Sequence, residues 1–147
     1  MKKALLLLLA LVLSACSNEW QADLSMNRAK WNEANISHYR YHLYLMCLCS
    51  FFEDMPLVIE VLDGKVVSME FQSGNLIKRG DRKSFEANAT IARIFARLQT
   101  DFWKNPDEVF VDYDQTYGFP TQVRIDYSKD FGEDDFSLIV SDFEVLP

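Results

Sequence analysis

The stretch that most restricts the fold is His38 to Cys49. Tyr39, Tyr41, Leu43, Leu45, Cys47 and Cys49 fall on one side of an alternating pattern, which is the two-residue period of a β-strand. The other side starts polar with Arg40 and His42 and turns apolar with Tyr44, Met46 and Leu48. A strand that is apolar on both sides over its second half belongs inside a sheet, with neighbours on both edges.

Those neighbours are visible downstream. Leu57 to Leu62 and Lys65 to Gln72 flank Asp63-Gly64, a dipeptide suited to a two-residue type I′ hairpin. Leu57, Ile59 and Val61 face inward on one arm and Val67, Met69 and Phe71 on the other. Glu108 to Asp114 and Thr121 to Tyr127 alternate in the same way. Phe136 to Val145 closes the chain, with a slip of its apolar phase at Ser141-Asp142 that a β-bulge would explain. Two segments have a helical period instead. Trp20, Leu24 and Trp31 share a face and predict a helix over Leu24 to Asn35, with Ser25 as a late N-cap and Trp20 in the preceding tether. Ile91, Ile94, Phe95, Leu98 and Phe102 predict a helix over Asn88 to Lys104 that Pro106 cannot continue. Ser73 to Phe85 reads as a loop.

The expected fold is therefore α+β. It is an antiparallel sheet of about six strands with two helices on one face, in the order αβββαβββ. A shift of 64 residues places Trp31 on Phe95, Pro56 on Pro120 and Val61 on Ile125, which suggests an internal duplication of an αβββ unit.

The amino terminus bears on location. Lys2 and Lys3 precede the apolar run Ala4 to Val12, which ends in Leu13-Ser14-Ala15. This is the anatomy of a secretory signal, too short for a transmembrane span of about 20 residues. Leu13-Ser14-Ala15-Cys16 resembles the bacterial lipobox, whose cysteine receives a diacylglycerol before the signal is removed. The resemblance implies a signal peptide over 1–15, a lipidated tether over 16–22 and one domain over 23–147. It also implies membrane attachment through Cys16 in the cell envelope. By the sorting rule of such lipoproteins, Ser17 favours the periplasmic face of a Gram-negative outer membrane. Removing residues 1–15 leaves 132 residues, with 13 basic against 22 acidic side chains and a net charge of −9. A balance that acidic argues against a nucleic-acid partner and against docking flat on anionic lipid.

Other residues of the domain carry a second resemblance. Tyr39-Arg40-Tyr41, Cys47-Leu48-Cys49, Pro56 with its hairpin through Gly64, Ile91 and Phe95, Tyr117-Gly118-Phe119-Pro120 followed by Val123, Ile125 and Asp126, and Asp134-Asp135 together resemble a family of small bacterial lipoproteins of unknown function. Where this chain has Phe119, the family more often has tyrosine. The likeness spans nearly the whole domain and brings no activity, substrate or cofactor with it.

Chemistry is sparsely encoded. Cys47 and Cys49 are an even pair in an oxidising compartment, which favours a disulfide. Residues i and i+2 of an extended strand stand too far apart to bond, however. Three states stay open: a bridge where the strand ends or bends, buried free thiols, or a redox or soft-metal site. Asp112, Asp114, Asp126 and Glu133-Asp134-Asp135 could gather around Ca²⁺, but no spacing matches an EF-hand and solvated loops explain them as well. With two histidines and no nucleophile elbow, zinc motif or phosphate loop, neither a catalytic residue nor a cofactor or resident metal is expected.

The expected function is a non-enzymatic envelope module that contacts a partner protein through a sheet face or through the bend at Tyr117, Gly118, Phe119 and Pro120. Two alternatives are an inhibitor of an extracellular hydrolase and a thiol–disulfide or soft-metal factor using Cys47 and Cys49.

Overall fold

The computed structural model describes residues 19–47, 49–130 and 135–147. The signal segment, Cys16 and Ser17 lie outside the described residues. Six strands, β1 (His38–Met46), β2 (Leu57–Leu62), β3 (Lys65–Phe71), β4 (Glu108–Tyr113), β5 (Pro120–Asp126) and β6 (Phe136–Val145), form one sheet. Their order is β3-β2-β1-β6-β5-β4. Every neighbouring pair is antiparallel. As its two apolar sides require, β1 is central, paired to β2 on one edge and to β6 on the other.

Asp63 and Gly64 both take positive φ, 50° and 73°, the backbone of the I′ turn. The β6 bulge is present as well. The register against β1 shifts between Arg40 and His42, and Asp142 has φ 50°. The shift returns Phe143 to the side of Trp31 and Tyr39, whose rings lie 5.9 and 5.5 Å from its own. A second bulge, where β3 meets Glu60 and Val61, corrects one expectation. It turns Val67 outward, 55% exposed, and leaves Val66 partly buried against the core in its place.

Among the described residues, three α-helices cover one face: α1 (Glu19–Ala34), α2 (Arg79–Glu86) and α3 (Ile91–Phe102). α3 buries the stripe Ile91, Ile94, Phe95, Leu98 and Phe102, and the Thr90 side chain accepts from Arg93 N, a conventional N-cap. α1 is already helical at Glu19, five residues before the expected Leu24, so Ser25 lies inside the helix and not at its cap. Trp20 is not in a tether, because its ring packs 6.2 Å from that of Phe102. α2 replaces the expected loop. Phe85 is its one buried residue, too little apolar content for a visible period. Phe85 meets Phe51 at 4.6 Å and Phe71 at 5.6 Å.

Tyr39, Tyr41, Leu43, Ile59, Val61, Val123, Ile125 and Leu138 fill the covered side of the sheet. The Tyr41 hydroxyl donates to Asn88 O (3.3 Å), and Ile91 N donates to the Tyr39 hydroxyl (3.2 Å). These bonds tie the entry of α3 to β1.

The suggested duplication has no counterpart in the topology. With all helices on one face, β1-β2-β3 steps outward from the sheet centre while β4-β5-β6 steps inward. The two meanders are therefore of opposite hand, and no rotation carries one onto the other.

Candidate functional site

The bend from Tyr117 to Pro120 is an internal joint. Gly118 takes φ +79°, and a Cβ there would stand 2.6 Å from Asn27 O of α1. The Asp114 carboxylate accepts from Thr116 N (2.9 Å) and Tyr117 N (2.6 Å), while the Asp114 carbonyl accepts from Gly118 N (2.9 Å). The Lys30 ammonium caps the Gln115 carbonyl. Phe119 and Pro120 are buried. Trp31 stands edge-on to Phe119 at 6.0 Å, and half-buried Tyr117 packs on Phe143 at 5.7 Å. The aromatic side chains of this bend point into the protein, which leaves the sheet face as the stronger of the two candidate contact surfaces.

The face of the sheet opposite the helices carries the side chains that alternate with the core. At one end it is charged. Arg40 stands between Glu60 and Glu144 in register and pairs with Glu144 at 2.8 Å. His42 Nδ1 lies 3.0 Å from the Asp142 carboxylate. His38 Nε2 lies 2.9 Å from Glu60 and Nδ1 2.8 Å from the Pro147 backbone oxygen. Both neighbours only accept, so they favour the ring that donates from both nitrogens. The hydrogen bond to Glu60 accordingly raises the His38 pKa above its ordinary value, with the Pro147 bond adding to it.

Toward the other end the charge thins. One row across the sheet reads Tyr44, Ile139, Gln122, Asp112, and the next reads Met46, Ser137, Arg124, Phe110. Met46 is 43% exposed and Phe110 40%. Cys47 and Cys49 lie at this end. β1 stops at Met46 and the chain bends at Cys47, so the two cysteines are not both in an extended strand. Their Cα atoms are 5.2 Å apart and their sulfurs are bonded, within the usual disulfide range. The bridge at a strand end is the state found. The expected strand over His38 to Cys49 is three residues too long.

Beside the bridge is an open cleft of about 680 Å³ lined by Met46, Cys47, Cys49, Ser50, Phe52 and Glu53. Phe52 is 47% exposed and starts a short 3₁₀ turn, Phe52–Asp54. The periodicity of β1 pointed to Met46, but Phe52 carried no signal, because it lies in an irregular segment. Thioether, disulfide and phenyl groups make a soft surface that adapts to an apolar partner.

The acidic constellation considered for calcium is only partly within view, since Glu133 and Asp134 lie outside the described residues. Asp114 is committed to its own turn. Among the described residues, no group of three or more His, Cys, Asp or Glu side chains stands close enough to hold a metal ion. No helix among them is long and apolar enough to cross a membrane.

The chain belongs to the family of unknown function DUF6174, whose sequence model matches residues 23–145. No curated protein and no solved structure matches it.

Proposed function

Starting from membership in a family without an assigned activity, we propose that this protein is a lipid-anchored interaction module of the bacterial cell envelope. Cys16 holds it to the membrane, and the apolar end of its open sheet face contacts another envelope protein. The observation that carries the contact surface is the cleft beside the Cys47–Cys49 bridge, with Met46 and Phe52 both more than two-fifths exposed at its rim. Exposed apolar groups gathered at one cleft are a more specific mark of a partner site than single scattered ones. The anchor rests on Lys2-Lys3, the apolar run and Leu13-Ser14-Ala15-Cys16. Several acyl chains on one cysteine hold far more firmly than a single one. Ser17 favours the outer membrane, facing the periplasm, in a Gram-negative host.

The anchor has a direct test. Cys16→Ser leaves an unprocessed precursor without lipid, read by intact mass and by labelling with a radioactive fatty acid. A variant that matures and fractionates with membranes like the wild type contradicts the anchoring.

A further inference from the structure

Charge is distributed unevenly along this acidic chain. Residues 65–104 hold eight Lys and Arg against four Asp and Glu, whereas the rest of the mature chain holds five against 18. The fold gathers much of this excess at one corner. β3 is an outermost strand of the sheet, and α2 and the start of α3 lie beside it. Between them is a cleft of about 370 Å³ lined by Gly64, Lys65, Val66, Met69, Arg82, Glu86 and Arg93. Val66 and Met69 are its apolar part, and three cations stand around it. Its one carboxylate, Glu86, is already paired with Arg82 at 3.0 Å. Arg93 spends one guanidinium nitrogen on the Glu86 carbonyl. Among the described residues, neither Lys65 nor Arg93 pairs with a carboxylate.

We propose that this cleft binds an extended acidic segment of a partner polypeptide, laid along the free edge of β3. Two independent observations select that chemistry. The cationic rim on a protein of net negative charge attracts carboxylates and repels basic chains. The free edge of β3 offers backbone N–H and C=O groups to an incoming strand, and the Val66–Met69 floor takes its apolar side chains. A lipid headgroup would use the cations but neither the backbone edge nor the floor. The site is separate from the open sheet face and does not depend on the lipid anchor.

The test uses the full chain in detergent micelles and a fluorophore-labelled peptide of alternating Glu and Val, about seven residues long to match β3. Fluorescence anisotropy should report binding that weakens as salt rises from about 50 to about 300 mM. Lys65→Glu with Arg82→Glu should weaken it about tenfold, while Arg28→Glu with Lys129→Glu, the same charge change elsewhere, leaves it within about twofold. Lys65→Gln alone, at the exposed first residue of β3, should weaken it about threefold and covers the case in which the double variant melts early. Absence of peptide binding, equal loss in both double variants, or binding to phosphatidylglycerol vesicles without binding to the peptide would overturn the proposal.

Discussion

Gly118 and Tyr117 are adjacent and do different work. Gly118 occupies a left-handed backbone position against the Asn27 carbonyl, so any side chain there meets both a steric wall and an unfavourable φ. Gly118→Val should cost roughly 2–4 kcal/mol by chemical denaturation. Tyr117 is half-buried on Phe143, and Tyr117→Ala should cost about half as much. If Tyr117→Ala destabilises as strongly as Gly118→Val, the left-handed contact with α1 is not what holds the bend. His38 gives a pH signature at the same scale. Its pKa is raised in the folded state by Glu60 and Pro147. The stability it contributes is therefore fully present below the unfolded value of 6.5 and is lost as pH rises through the higher folded value. Urea midpoints of wild type and Glu60→Gln should be separated at pH 6 and converge at pH 9. A constant separation across that range would show that Glu60 does not act through His38.

Among the elements, the strands were legible because each alternates over a core face, and β1 was legible as central because both of its sides are apolar toward Met46. What escaped were elements whose cause is tertiary. α2 has one buried side chain, Phe85, so its helicity rests on packing against Phe51 and Phe71 rather than on a stripe. Between Glu19 and Asp23 the one large apolar side chain is Trp20, and its apolar anchor, Phe102, lies 82 residues away in the chain. Val67 turned outward because a bulge, which local pattern does not encode, shifted the register of β3. Of the cleft, only the cysteine pair stood out in the sequence, since Met46 read as part of the second apolar side of β1 and Phe52 carried no pattern at all. Whether Cys47 and Cys49 join depended on where β1 ends, which is Met46 and not the expected Cys49. The bridge closes a very short loop, for which chain-entropy arguments give a stabilisation of only about 1–2 kcal/mol. Replacing both cysteines with serine should lower the melting temperature by several degrees and leave no lost chemistry behind. A thiol-dependent reductase or isomerase activity that disappears in that variant would show the pair to be a reactive centre.

At the level of the whole molecule, the helices cover one face of the sheet, and among the described residues none covers the other. The charged end of that open face is self-satisfied through Arg40–Glu144, His38–Glu60 and His42–Asp142, so it has little left to offer a partner. The end near Met46 and Phe52 has unspent apolar surface, and the account assigns the contact there. The most direct measurement is site-specific photocross-linking in intact cells, with a photoreactive amino acid placed singly at Met46, Phe52, Met26 or Trp103. All four positions are exposed, with Met26 and Trp103 on the helical side. The account predicts one adduct of common mass from Met46 and Phe52, absent from Met26 and Trp103 and removed by Phe52→Glu when the probe is at Met46. Adducts from the helical positions, with none from Met46 and Phe52, would contradict it.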